Sequence, residues 1–497
     1  MLILTNMNAL SEAYPKETPR IKQAVETLAD THNADIHDID EVYLQKTGEH
    51  ITIPEYPDSC LTGMAKVIKN EIISRTDGAL DTLIIVGDET IIPMWEIGLA
   101  KLRFHTDSFY ADLDRDGLPE VAVTRILGNP EAMIQQMSDT TETAGPDATI
   151  MCSEDTRIHL ETQQFMDALT QQGHQVDVIG RKEDGKLPNS DLIIHFGHGS
   201  PKGLSNRFGE NFITAKSMPH LARNPIAFIN GCATTPPGSE LLRAFLNNGC
   251  RTYLGNTATV PGMIPARYTN QLVMCFLNAY KANPDGSVVK LFTEARAGYA
   301  QINHLSKLLL KLEKKETLHQ FRGDMQTHLL TFLEWNAYGS PFSRLHQGTG
   351  RSVFAKYPLI DHISDNGVYL KVPGQSEIES DFNIVQEDGQ PILFLQADWL
   401  NSVSSAIELQ IKQNGQTIHQ LKGDTHIIFQ HIENICVGGY VDGKMYRAYW
   451  LLPLERTEGE NRLRIELTSK GTEIQILPES MIQIWPEWET TAAPQSE

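Results

Sequence analysis

Two residues stand out for what they can do to a carbonyl group. His198 ends the run Leu192-Ile193-Ile194-His195-Phe196-Gly197-His198-Gly199-Ser200, and Cys232 ends Ile226-Ala227-Phe228-Ile229-Asn230-Gly231-Cys232-Ala233. A thiolate is the attacking form of cysteine; a nearby imidazole favours that form and can later protonate a leaving amine. Glycines beside each residue let a substrate backbone approach, and backbone N–H groups in such turns can hold an oxyanion. The amides of Gly199 and Cys232 are the candidate donors. His195 competes for the role of base, but it sits inside the apolar run, which marks it as a packed or supporting histidine.

These side chains need elements that bring them together. Both runs read as strands buried on both faces, so His198 and Cys232 fall at strand carboxyl ends, where open α/β sheets place their ligand crevices. The stretch between the two runs is long enough for a crossover between neighbouring parallel strands. The same texture recurs along the chain. Leu2-Ile3-Leu4, Thr82–Val86, Val121-Ala122-Val123, Thr149-Ile150-Met151, Val176–Ile179 and Arg251–Leu254 are apolar runs of strand length. Ile21, Val25 and Leu28 mark one helix face; Leu160, Phe165, Met166 and Leu169 mark another, and the Lys- and Leu-rich segment from Leu305 to Leu318 is amphipathic. Strands alternating with helices predict a mainly parallel sheet covered on both sides.

The polar segment SDTTETAGPD, residues 138–147, suggests a boundary near Gly145-Pro146. After about residue 350 the pattern turns to period two, as in Ile407-Glu408-Leu409-Gln410-Ile411 and Leu463–Leu467. Asn414-Gly415 and Asp442-Gly443 are hairpin signals. The expected organisation is an N-terminal α/β subdomain over 1–145, a second over 146–349, and a small antiparallel β-sandwich over 350–497.

The His-Gly and Gly-Cys strand ends together resemble the superfamily of caspases, legumains, separases and gingipains. A second match narrows the resemblance. Asp107, Tyr110, Asp112, Asp114, Asp116, Gly117, Pro119, Glu120 and Arg125 are spaced as in the gingipain stretch D-x-x-Y-x-D-x-D-G-D-G-x-P-E/D-x-x-x-G-R, and Leu83–Pro93 resembles the strand before it. The resemblance covers most of residues 80–345. It implies a caspase-like three-layer α/β/α sheet in two subdomains, the first pseudo-catalytic, followed by an immunoglobulin-like β-sandwich. It also implies a cysteine endopeptidase that works through a thioester acyl-enzyme and cuts after a basic residue, Arg or Lys. An acidic group in the S1 pocket would then fall at Asp155 or Glu154. The chain departs from the pattern at Thr124, where the family has glycine, and at Gly339-Ser340-Pro341, where Gly-Asp-Pro is usual.

Asp112, Asp114, Asp116 and Gly117 form a D-x-D-x-D-G run that can wrap calcium, although the twelfth loop position is Val123 rather than a bidentate glutamate. A tight acidic turn is the plainer reading. No cofactor is required for the thiol chemistry. Trp335 and Tyr338 can wall a pocket or fill the core.

Composition bounds the partners. Lys plus Arg number 42 against 63 for Asp plus Glu, a net charge of −21 that repels phosphate backbones and draws basic peptides. The six cysteines show no CxxC spacing, which argues against structural zinc. No apolar run approaches the length of a membrane span. The first ten residues have no basic n-region and Glu12 follows closely, so a cytoplasmic protein is expected if Met1 is the native start, and a secreted one otherwise. The expected partners are a protein or peptide substrate and a regulatory protein docking on the sandwich, with no nucleic acid. The alternative is a regulated caspase-like effector or scaffold of cytoplasmic signalling or defence, with little constitutive peptidase activity.

Overall fold

The computed structural model describes the chain except at residues 52–60, 77–79, 100–101, 139–142, 153–159, 180–188, 206–210, 259–267, 316–317, 319–320, 322–323, 349–355, 359–367, 372–373, 385–389, 400–406, 424–434, 442–443, 471–472, 477–479 and 486–497. Two compact units result. One comprises Met1–Arg157, Ala168–Gly262 and Ala266–Gly350; the other comprises Ile158–Asp167, Met263–Pro265 and Arg351–Glu497.

In the first unit, strands β1 (Leu2–Thr5), β2 (Asp35–Asp38) and β3 (Thr82–Val86) are followed by the hairpin β4 (Trp95–Leu99) and β5 (Leu102–Thr106), then by β6 (Ala122–Ile126). Next come β7 (Asp147–Cys152), β8 (Gln175–Ile179), β9 (Leu192–Phe196), three short strands β10 (His198–Ser200), β11 (Gly203–Ser205) and β12 (Asn211–Thr214), then β13 (Ile226–Asn230), β14 (Thr252–Asn256) and β15 (Trp335–Gly339). Ten of them form one sheet in the order β2-β1-β3-β6-β15-β14-β13-β9-β7-β8. Every residue of β1, β3, β9, β13, β14 and β15 is buried, as expected where helices cover both faces. Ile21, Val25 and Leu28 of the helix Thr18–His32 are buried as their spacing requires.

The sheet is mainly parallel, as the alternation of strands and helices predicts, with one antiparallel pairing. β15 pairs parallel with β6 but antiparallel with β14, so the strands on the two sides of this junction run in opposite directions. The last strand of the 146–349 block is thus inserted beside β6 of the 1–145 block, and one sheet runs through both. Trp335 and Tyr338, on this strand, are 0% and 1% exposed, which makes them core. Thr124 also has a role here: its hydroxyl donates to the Gly339 carbonyl at 2.9 Å, tying β6 to β15.

In the second unit, antiparallel pairings build one sheet of seven strands and one of four. Leu393, Leu395, Leu409, Ile411, Leu463 and Ile465 belong to a single buried cluster fed by both sheets. Strands Ile407–Gln413 and Gln416–Gly423 are joined through Asn414 and Gly415, at φ 52° and 85°, the left-handed pair that the Asn-Gly signal predicts. Asp442-Gly443 lies outside the described residues. Among those residues, no helix is long and apolar enough to cross a membrane.

Candidate active site

The neighbouring strands β9 and β13 run parallel, with Leu192 opposite Ile226 and Phe196 opposite Asn230. His198 and Cys232 each follow the last pair of this ladder by two residues, His198 as the first residue of β10. The ladder closes with the Gly197 N–H donating to the Asn230 carbonyl at 3.2 Å. Beyond it His198 is exposed and Cys232 half-buried.

Glycine allows the two loops to meet. A Cβ on Gly231 would lie 3.2 Å from both the Cα and the N of Gly199. A Cβ on Gly199 would lie 2.6 Å from Thr234 Cγ2 and 3.0 Å from the Cys232 carbonyl oxygen. The loop after Cys232 is in turn fixed to the end of β14. Ala233 takes a left-handed φ of 46° and donates its N–H to the Ala258 carbonyl at 2.7 Å, and Thr235 donates to Asn256 at 2.8 Å. Such a φ costs a residue with a Cβ about 1–2 kcal/mol, a strain that the surrounding bonds must hold. The buried Asn256 amide donates to the carbonyls of Ile229 at 3.2 Å and Gly231 at 3.4 Å, bracing the peptide before the thiol.

The other cysteines whose side chains are described lack this setting. Cys250 is buried with its thiol pushed far up by burial, and burial pushes the Cys275 thiol up to about 11. Neither supplies thiolate at neutral pH.

His195 does not reach the surface. Its ring is fully buried, and burial pushes its pKa down to about 4, so it is neutral at physiological pH. Its Nε2 lies 3.1 Å from the carbonyl oxygen of His198.

The acidic stretch is built around scaffold contacts. Arg125, fully buried on β6, donates Nε and Nη2 to Asp107 at 2.8 and 2.6 Å and Nη1 to the carbonyls of Gly87 and Ile92 at 3.0 and 2.8 Å. Tyr110 donates its hydroxyl to the Pro93 carbonyl at 2.7 Å. Oxygens of Asp112, Asp114 and Asp116 lie within 4.8 Å of one another. Each of the three already accepts a backbone N–H, from Gly117, Asp116 and Leu118 respectively. Glu120 takes those of Leu113 and Asp114, and the buried Lys69 ammonium stands 3.9 Å from Asp112. Burial, opposed by Lys69, leaves the Asp112 carboxyl raised to about 6. Asp155 and Glu154 lie outside the described residues.

Sequence reasoning missed Asn256 and the link from His195 to His198. An asparagine ending an apolar strand and a histidine within one were the available signals.

The family model for peptidase family C25 matches residues 14–341, so the protein is a cysteine peptidase. The chain belongs to that family, the gingipain family. Among solved structures it is similar to the Arg-specific cysteine proteinase gingipain R, at 13% identity and a TM-score of 0.45, over 96% of this chain and 97% of that one. It is likewise similar to a complex of Porphyromonas gingivalis RgpB pro- and mature domains, at 13% identity and a TM-score of 0.46, over 96% and 99%. The chain matches no curated protein.

Proposed function

We propose that the protein is an endopeptidase in which Cys232 is the nucleophile and His198 the general acid and base. The observation that supports this reading is that each follows the paired ends of β9 and β13 by two residues, where the backbones of Gly199 and Gly231 come together. The Cys232 thiolate adds to the scissile carbonyl carbon. The resulting oxyanion is held by the amides of Gly199 and Cys232, and imidazolium His198 protonates the departing amine, leaving a thioester. His198 then removes a proton from the water that attacks the thioester, and the thiolate leaves.

The proposed preference is for Arg or Lys at P1, with Asp155 or Glu154 as the acid of the pocket. The net charge of −21 and the family support this, and Arg specificity is what the name of gingipain R states for that protein. The 350–497 unit is proposed to be an immunoglobulin-like sandwich that docks a regulatory protein. A calcium ion at Asp112, Asp114 and Asp116 would be structural, since none of these residues lies on β9, β13 or the loops that follow them. The chemistry proposed uses protein groups alone.

A peptidyl acyloxymethyl ketone with Arg at P1 tests the assignment. Wild type should be labelled once, at Cys232, and Cys232→Ala and His198→Ala should lose cleavage of Arg and Lys peptides while keeping their melting temperature. Persistent cleavage by Cys232→Ala, or labelling at another residue, overturns it.

A further inference from the structure

β9 reads Leu-Ile-Ile-His-Phe and is buried at all five positions, so His195 is a polar ring placed where the strand asks for an apolar one. Burying such a group without a partner costs about 1–3 kcal/mol. Its partner is the backbone of the candidate base: Nε2 lies 3.1 Å from the His198 carbonyl oxygen. A carbonyl only accepts, so this contact is a hydrogen bond in the Nε2–H tautomer of the neutral ring, which also has the Met151 backbone as a neighbour. The contact is enclosed. A Cβ on Gly197 would lie 3.0 Å from His195 Cε1 and 3.2 Å from Nε2, so the turn from strand to His198 rests on the imidazole. Phe212 of β12, in the same small sheet as His198, meets the ring edge-on at 5.9 Å.

In a trans peptide the carbonyl and the following N–H point in opposite directions. A bond that draws the His198 carbonyl inward therefore turns the Gly199 N–H outward. The close approach of Gly199 N to Gly231 places that amide beside the peptide that enters Cys232. We propose that His195 is a positioning residue for the oxyanion donor: its Nε2–H fixes the plane of the His198–Gly199 peptide and so aims the Gly199 amide at the charge formed during attack. This rests on the reading of His198 and Cys232 given above and adds a residue to it.

The test compares His195→Phe, which keeps a ring and removes the donor, with His195→Gln, whose side-chain amide can donate. Three readouts are needed: kcat/KM on a peptide the wild type cleaves, the affinity of the aldehyde of that peptide, and the alkylation rate of Cys232 by iodoacetamide. The aldehyde forms a tetrahedral adduct that uses the oxyanion donors, whereas iodoacetamide reports only the thiolate. His195→Phe should lose about 10²–10³-fold in kcat/KM and a similar factor in aldehyde affinity. Its alkylation rate and melting temperature should stay near wild type, and His195→Gln should recover most of the loss. Unchanged aldehyde affinity in His195→Phe, or losses that track a lowered melting temperature, overturns the proposal. Should His195→Phe not fold, His195→Gln still decides: folded protein with aldehyde affinity lost overturns it, and affinity retained supports it. Activity persisting in a parallel Cys232→Ala sample would instead overturn the underlying assignment, so the two failures are distinguishable.

Discussion

Arg125 gives each oxygen of the Asp107 carboxylate its own hydrogen bond, at 2.6 and 2.8 Å, with the two residues only 0% and 3% exposed. The remaining guanidinium nitrogen donates to the carbonyls of Gly87, next to the end of β3, and of Ile92 in the loop that follows. Asp107 is held from the other side as well, its N–H donating to the Asn336 side chain on β15 at 2.7 Å. The two ends of the stretch that resembles the gingipains are thus one ion pair that pins a loop, β3 and β6 together.

Breaking that pair should be costly. Removing one partner of a buried ion pair strands the other charge, at about 3–5 kcal/mol. Arg125→Met is expected to lose this much in urea denaturation. Arg125→Lys should not restore it, because an ammonium cannot match the two-pronged carboxylate contact and reach two carbonyls as well. The double variant Asp107→Asn/Arg125→Met should lose less than the sum of the singles. Additive losses would show that the residues act separately.

Gly199 makes a different kind of demand. A methyl group there must displace Thr234 or the Cys232 carbonyl, and either shift moves the segment that carries His198 against the one that carries Cys232. Gly199→Ala should lower kcat/KM by about 10²-fold, the usual cost of an ångström-scale misplacement, while thermal unfolding changes little. Steady-state kinetics beside a melting curve check this, and wild-type turnover would refute it.

His174 predicts a pH effect. Burial, with a smaller push from His346, lowers its pKa from 6.5 to about 4; its Nδ1 lies 3.2 Å from the Pro146 carbonyl. Below pH 6.5 the unfolded chain therefore binds a proton that the folded one refuses. This residue's contribution to stability falls as pH drops from about 6.5 to about 4, by on the order of 2–3 kcal/mol. His174→Phe removes that dependence. The stability difference between wild type and variant should shift in favour of the variant across this window, as read by denaturation at pH 7, 5.5 and 4.5.

Much of the layout was legible because it is written locally. Buried strands such as Ile226–Asn230 are unbroken apolar runs, and Gly197 and Gly231 punctuate them where the chain must leave the sheet. Asn414-Gly415 specified its turn for the same reason. Strand order is not local, and the antiparallel junction at β15 was invisible: Trp335 and Tyr338 read only as pocket wall or core, and nothing in Trp335–Gly339 says that β6 and β14 are its neighbours. Asn256 escaped because its value lies in reaching Ile229 and Gly231, which only the fold brings close. His195 was recognised as packed, but its bond to the His198 carbonyl depends on the turn at Gly197.

The insertion of β15 also bears on how the molecule is made. The bond from Thr124 to Gly339 spans 215 residues of chain, and β15 is the strand through which β6 and β14 are joined. During synthesis β6 and β14 both emerge from the ribosome before their shared neighbour does, so each waits with an unsatisfied edge. Closing the sheet is then a late, long-range event, slow by the same loop-entropy logic that slows other non-local pairings. A newborn chain that ends short of Trp335 would present two sticky borders, and chaperone demand should peak in that interval.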